Sequence, residues 1–289
     1  MRFGWIDGQR QSYPLSALCE ALGVTRAGYY AWAKRQQSPP GPRAARRQEL
    51  AAEIRAAHEH SRRTYGSPRV YYELKGRGVE VCENTVARVM REQGIRSVVR
   101  RRFKARTTDS AHAHPVAPNL LARDFSADAP DRKWAADVTY VATGEGWLYL
   151  AVVVDLCSRR VVGWAMADHL RAALCLDALD MALARRRPGA GLVHHSDRGV
   201  QYACGDYRGL LRSQGIECSM SRRGDCYDNA MVESFFKTLK AELVYHERYA
   251  TREQARRSVF EYVEVFYNRR RLHSSLGYKS PEQFEAAMN

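Results

Sequence analysis

The chain has 289 residues, 45% of them hydrophobic and 27% charged, which is enough for a substantial core and for two or three domains. Its formal net charge of +14 points to a polyanionic partner, and it is uneven: residues 1–110 hold 22 Lys and Arg against 10 Asp and Glu, residues 111–289 hold 24 against 22. The longest apolar run, residues 147–154, is under half of the roughly 20 residues that cross a bilayer, no signal peptide is visible, and the seven scattered cysteines lack a Cys-x-x-Cys pair, so the sequence supports no membrane anchor, disulfide framework or structural zinc site.

Residues 13–35 read as a helix-turn-helix. Leu15, Leu18 and Leu22 mark a first helix, Gly23 the turn, and Thr25 the N-cap of a second helix through Tyr29 and Trp32. Residues 36–43 contain three prolines and a glycine and read as a linker. A helix is predicted over 44–60. Residues 68–77, a turn at 78–83 and residues 84–93 read as a second helix-turn-helix. The run 96–106 follows it; beside a recognition helix, Arg100, Arg101 and Arg102 are expected to track phosphates. The expected organisation is helix-turn-helix 1–35, linker 36–43, second helical DNA-binding domain 44–106, linker 107–127 and catalytic domain 128–289.

From Lys133 the pattern turns to strands, at 133–142, 147–155 and 159–167, with Gly144-Glu145-Gly146 and Leu156-Cys157-Ser158 as turns. A helix is predicted over 170–184, a strand over 191–195, a helix over 201–213, a short strand over 216–220 and a last long helix over 252–267. Periodicity alone gives an α/β class.

Three acids stand out. Asp137 interrupts the apolar run of the first strand, Asp197 follows the strand 191–195, and Glu233 lies in the first turns of an amphipathic helix; 59 residues separate the first two and 35 the last two. Carboxylates brought together repel one another unless cations neutralise them, so such a cluster suits Mg²⁺ or Mn²⁺. Two such ions, about 3.5–4 Å apart, activate an attacking oxygen and stabilise the leaving oxygen of a phosphodiester. The Glu233 helix carries an apolar stripe of Val232, Phe235, Phe236, Leu239 and Leu243, and beside it a second stripe of Glu233, Lys237 and Lys240 that suits a phosphate backbone. An ordinary solvated Glu–Lys pair accounts for Lys237 but not for Lys240. Asp228 or Asn229 is the expected N-cap. Arg222 and Arg223, in the loop before this helix, are candidate DNA contacts. Asp155 reads as a turn cap for Ser158 ahead of a role in assisting metal binding, and His194 and His195 as groups that pack or support the neighbouring Asp197 rather than zinc ligands. The arginines of residues 268–273 suit a helix C-terminus and also a DNA face.

These motifs carry a resemblance. YGSPRV (65–70), APNLLARDF (117–125), KWAADVTYV, GWLYLAVVVDLCSRRVVGWAM, HHSDRGVQY, SRRGDCYDNAMVESFFKTLK and YNRRRLHSSLGYKSPEQF together span nearly the whole chain. It resembles the OrfB transposases of the IS-three family of bacterial insertion sequences, within the retroviral-integrase-like superfamily. Cys157, where the family often has an aromatic, is a small departure. The resemblance implies an RNase H-like catalytic domain with a mixed five-stranded sheet flanked by helices, preceded by an all-α helix-turn-helix region. It implies Asp137, Asp197 and Glu233 as metal-binding catalytic acids with two Mg²⁺ or Mn²⁺ ions, and Lys240 as a contact to transposon-end DNA. The expected partners are double-stranded DNA, both terminal inverted repeats and target, further copies of the chain, and an upstream-frame helix-turn-helix protein or frameshift fusion. The expected location is the bacterial cytoplasm, on the nucleoid. A DNA-binding repressor and a nuclease of the same fold that only hydrolyses are the alternatives.

Overall fold

The computed structural model describes residues 1–37, 41–98, 116–222 and 226–288. Its internal contacts divide the chain into two units, Met1–Ala56 and Ala57–Asn289, the division falling inside a helix.

The first unit contains α1 (Arg2–Gln9), α2 (Leu15–Ala21), α3 (Arg26–Gln37) and the start of α4 (Pro42–His60). α2 and α3 are the two helices the sequence pattern predicts here, joined by a turn. Gly23 takes a left-handed φ of 60°, and Thr25 Oγ1 accepts the Gly28 N–H at 3.0 Å, capping α3. The sequence pattern does not predict α1, because Gly4 and Gly8 weaken any helical signal there. Packing overrides propensity: Ile6 is fully buried with Leu18, Cys19 and Tyr29, and the Tyr29 hydroxyl donates to Asp7 at 2.6 Å. The predicted linker 36–43 is shortened from both sides, since α3 runs to Gln37 and α4 begins at Pro42, a residue suited to a first helical position.

In the second unit α5 (Ser67–Gly76) and α6 (Glu83–Glu92) form the second helical pair, with Val86, Val89 and Met90 as the buried stripe of α6. Arg100, Arg101 and Arg102 lie outside the described residues. The α/β part is built from β1 (Lys133–Thr143), β2 (Gly146–Asp155), β3 (Val161–Ala167), α7 (Ala172–Arg186), β4 (Val193–Ser196), α8 (Val200–Ala203), α9 (Gly205–Ser213), β5 (Glu217–Met220), α10 (Ala230–Glu242), α11 (Arg252–Phe260) and α12 (Pro281–Ala286). The sheet order is β3-β2-β1-β4-β5; β1, β2 and β3 pair antiparallel, while β4 and β5 run parallel to β1 and to each other. This is the mixed five-stranded α/β sheet expected.

Alternation along the strands sends Trp134 and Ala136 of β1 and Ala151 and Val153 of β2 into a core closed by Leu174, Ala178 and Leu179 of α7 and Tyr207 and Leu211 of α9. On the strands' other side Val141 and Leu148 pack with Tyr249 and Ala255, the latter from α11. Beyond Phe260 the helix widens to π winding over Glu261–Tyr267, where the sequence predicts a single α-helix. Asn268, at its end, replaces a strand neighbour for β3: its amide accepts the Val161 N–H and donates to the Val161 carbonyl, both at 3.0 Å.

Two segments expected to link domains or carry DNA contacts are instead tied down. Residues 117–124 fall in the predicted linker 107–127, yet Leu121 is buried, the Met220 N–H donates to Pro118 O at 3.2 Å, and the Leu120 N–H donates to Ser219 Oγ at 2.9 Å. Tyr65, 1% exposed, donates its hydroxyl proton to Arg270 O at 3.1 Å and accepts the Leu272 N–H at 2.7 Å. No helix among the described residues is long and apolar enough to cross a membrane.

Candidate active site

Strand register brings the first two acids together. β4 runs parallel to β1 with Ser196 opposite Ala136. The next residue of each, Asp197 and Asp137, therefore emerge side by side where β4 ends, and neighbouring strands lie about 4.8 Å apart. The carboxyl ends of parallel strands are where ligand sites form in open α/β sheets. Asp197 Oδ1 accepts the Gly199 N–H at 2.9 Å, closing a tight turn. A Cβ at Gly199 would lie 3.0 Å from that same oxygen and 3.0 Å from Gln201 Oε1, so a side chain there would press on the Asp197 carboxylate.

α10 supplies the third acid. Val232, Phe235, Phe236 and Leu239 are buried, each contributing about 1.5–3 kcal/mol relative to exposure. The Glu233–Lys237 pair, 3.3 Å apart, contributes only about 0.3–0.5 kcal/mol. Packing thus sets the roll of the helix, and the roll aims Glu233. The Asn229 amide donates to Ala136 O at 3.2 Å, fastening the start of α10 to the residue before Asp137.

The electrostatics record how near the groups are. The half-buried Asp137 carboxyl accepts the Val138 N–H at 2.8 Å, yet its pKa lies well above the ordinary carboxylate range. Burial is the main cause, the Asp197 carboxylate the next, and Glu233 adds to it; the Val138 N–H and the Lys240 ammonium oppose the rise. Lys240 is half-buried, its Nζ 4.9 Å from the centre of the Tyr140 ring. Burial lowers its pKa, and Asp137 partly restores it. Asp137, Asp197, Glu233 and Lys240 thus occupy one neighbourhood. Among the described residues no three His, Cys, Asp or Glu side chains form a ready-made metal cage.

The other candidates lie elsewhere. Lys237 is exposed and pairs with Glu233. Arg223 is outside the described residues. Arg222 is held by Asp228: its backbone N–H, Nε and a terminal nitrogen lie 2.8, 3.0 and 2.9 Å from the Asp228 oxygens. Asn119 joins the same carboxylate at 2.9 Å and Arg123 at 3.4 Å. Neither Asp228 nor Asn229 makes the N-capping hydrogen bond expected of it; each side chain is engaged by a partner outside the helix, Arg222 for Asp228 and Ala136 O for Asn229. Those two residues, with Gly199 and Tyr140, are the parts of the site that sequence reasoning misses. The Asp-Asn pair ahead of α10 is the available signal, and on sequence alone it reads as a local cap.

The integrase core domain family matches residues 127–226, a second integrase core domain model matches 214–281, and an HTH-like domain matches 45–103. The transposase InsF for insertion sequence IS3A of Escherichia coli (strain K12) is 44% identical over 285 residues, covering 99% of this chain and 98% of the relative. The chain belongs to the IS3 family of transposases. A 31 kDa protein of insertion element IS600 from Shigella sonnei is 46% identical over 267 residues, 92% of this chain and 97% of that protein. Among solved structures, the magnesium-bound catalytic core domain of HTLV-2 integrase covers 55% of this chain and 99% of its own, at 16% identity and a TM-score of 0.42. As a member of the IS3 family the protein is a DNA transposase, an enzyme of the polynucleotidyl-transferase kind.

Several family-motif residues of this IS3-family chain point inward. Asp155 is fully buried and caps the turn as expected, accepting the Ser158 N–H at 2.8 Å and the Asp131 N–H at 2.7 Å. His194 lies 3.0 Å from the Tyr207 hydroxyl, and burial lowers its pKa to about 3. His195 sits between Ser219 Oγ at 2.8 Å and Ser221 Oγ at 3.1 Å, its pKa lowered by burial to about 4. Both are neutral packing groups at pH 7. Of the last three arginines, Arg269 and Arg270 are exposed, and only Arg271 departs from the reading of this stretch as a DNA face. It is 2% exposed and grips Glu242 with both arms of its fork, at 2.7 and 2.8 Å.

Proposed function

We propose that Asp137, Asp197 and Glu233 are the catalytic acids that hold two divalent cations, Mg²⁺ or Mn²⁺, for cleavage and joining of insertion-sequence ends. One observation carries this reading: the Asp137 carboxyl feels both of the other acids in a partly buried place. The donor set fits hard cations, being carboxylates alone. Mg²⁺ keeps several waters and takes only one or two carboxylates with substrate phosphates, so no preformed three-acid cage is needed. Asn229 adds a buried Oδ1 without a hydrogen-bond partner beside the group. When bound, the ions supply an activated attacking oxygen and charge stabilisation at the leaving oxygen.

The chain's own residues then divide the work. Asp137 on β1 and Asp197 just past the end of the adjacent β4 fix the separation of the carboxylates. Glu233 approaches from α10, and Lys240, two turns along the same helix, meets the phosphate beside the reacting one. Lys237, Arg222, Arg223 and the run Arg100, Arg101 and Arg102 add backbone contacts farther out, Arg222 through whatever part of its guanidinium Asp228 leaves open. In cleavage, water attacks the phosphorus at an element end and the 3′ oxygen leaves as a hydroxyl. In joining, that hydroxyl attacks a second phosphodiester, and the displaced strand departs with its own 3′-OH. The first joining is to the other end of the same element, giving a circle that is later inserted into target DNA. Residues 1–35 and 44–106 hold the duplex, and 128–289 carries the chemistry with residues 117–124 packed against it. Holding two ends at once calls for more than one copy of the chain.

Asp137→Asn, Asp197→Asn and Glu233→Gln are each expected to abolish Mg²⁺-dependent cleavage and joining of terminal-repeat duplexes while gel-shift affinity stays within about twofold of wild type. Substantial joining by any of the three would sink the assignment. Cleavage without joining by the wild-type chain would favour the hydrolysis-only reading.

A further inference from the structure

Three of the family-marking segments meet at a place separate from the acids. Arg69 comes from α5, Arg159 from the turn between β2 and β3, and Arg271 and His273 from the stretch after the π winding. With Ser234 and Thr238 of α10 they line a cavity of about 180 Å³. All lie within the unit Ala57–Asn289. Ser234 follows Glu233 directly and so lies about 100° around α10 from it.

Arg159 is the anomaly. Its φ of 63° is left-handed, a conformation that costs a non-glycine residue energy and persists only where the surroundings impose it. Its Nε and Nη1 are buried without a hydrogen-bond partner. Buried unsatisfied donors are rare, and charged ones are costly. Asp155 and Tyr267 lie near enough to favour its charge, but the oxygens of Asp155 already accept from Ser158 and from the Asp131 amide. Arg271, by contrast, is fully matched by Glu242, and Arg69 Nη1 lies 3.9 Å from that same carboxylate. Three guanidiniums therefore gather near Glu242 and Asp155. His273 registers them: burial and all three arginines push its pKa far below the ordinary value.

We propose that this cavity is a phosphate-binding site, with Arg159 as the group that takes the anion. A guanidinium fork matches the oxygens of a tetrahedral phosphate in shape and charge. The volume is below the roughly 300–1,000 Å³ usual for pockets of small organic ligands, and so suits one oxyanion group. The serine and threonine hydroxyls of α10 and the neutral His273 supply uncharged contacts around it. A phosphate held here bears on the helix that carries Glu233. Its source is either a phosphodiester of bound DNA or free phosphate; the first rests on the function proposed above, the second does not.

The test uses the full-length chain. Inorganic phosphate is titrated at constant ionic strength against chloride, and the thermal midpoint is read for wild type, Arg159→Gln and Ser275→Glu. Ser275, an exposed residue of the cavity lining, changes the local charge without touching the strained turn. The wild-type midpoint is expected to rise with phosphate as ligand linkage requires, and both variants to lose that rise. Binding to a terminal-repeat duplex is then measured against salt. If the phosphate comes from DNA, Arg159→Gln lowers the log–log slope by about 0.9 and loses one position of phosphate-ethylation interference. An unchanged slope with the phosphate-dependent melt intact in wild type assigns free phosphate. A wild-type midpoint that ignores phosphate, together with DNA binding by Ser275→Glu that matches wild type in slope and footprint, overturns the site. Should Arg159→Gln fail to fold, Ser275→Glu alone decides. Loss of this site leaves the assignment of the three acids standing, because joining by the wild type is measured separately.

Discussion

At the scale of single residues, Asp137 keeps a carboxyl where burial and two acids oppose its charge. A folded pKa raised above the unfolded value means that the native state binds more protons in that window. Stability from this group is present below the ordinary value of 3.8 and is lost as pH rises through the folded pKa. Asp137→Asn removes the charge and keeps an oxygen for the Val138 N–H. In EDTA at pH 7 it should melt above wild type, and the gap should close below pH 3.8; a variant less stable than wild type throughout would refute this. His194 has the opposite sign. Its pKa falls from 6.5 to about 3 on folding, so the unfolded state takes the proton first and stability drains away as pH falls between those values. Asp228 adds to the loss at lower pH, because Arg222 holds its carboxyl well below the ordinary range. His194→Gln, which keeps a donor toward Tyr207, should flatten the dependence of the urea midpoint on pH between 6.5 and 3. Lys240→Ala should reduce joining by tenfold or more and duplex affinity by much less, as single-turnover assays and gel shifts would reveal.

At the scale of elements, Gly163 shows how closely β3 and α7 are fitted. A Cβ there would lie 2.2 Å from Ala178 O and 2.8 Å from the Ala182 backbone nitrogen. Gly163→Ala must push the helix off the strand, and the expected cost is about 1–3 kcal/mol, measurable as a lower denaturant midpoint with native-like spectra. The strands and α10 are legible in the sequence because apolar residues recur with period two or in a helical stripe. The meeting of Asp137 and Asp197 is not legible from period, since it depends on how β4 registers with β1 across 59 intervening residues; there the family resemblance supplies what local pattern cannot. Asp228 and Asn229 mislead local reasoning because Arg222 and Ala136 O, partners outside the helix, outcompete the cap. Arg271 misleads it because a cation at a helix end looks solvated until Glu242 is found buried against it. The π winding after Phe260 leaves no mark on the apolar pattern, as Tyr262, Val263, Phe266 and Tyr267 are all buried either way.

At the scale of the whole molecule, the charge is concentrated in residues 1–110, at +12 against +2 for the rest. Charge and folding nevertheless divide at different places. Residues beyond Ala57 belong with the sheet by their contacts, and Tyr65 anchors them to the backbone of residues 270–272. A chain starting at residue 57 should therefore melt distinctly higher than one starting at residue 125, which strips the cover from Leu272 and Arg271; equal midpoints in calorimetry would contradict this. The same arrangement orders events at the ribosome. The three acids leave it in turn, 96 residues apart from first to last, roughly 5–20 s of synthesis, and the strand supported by Asn268 waits longer still. A product that stops between residue 110 and α10 keeps the +12 of its first 110 residues and lacks Glu233. On the function proposed above, such a fragment should compete with the full chain for the element's own ends, which a gel-shift competition would read directly.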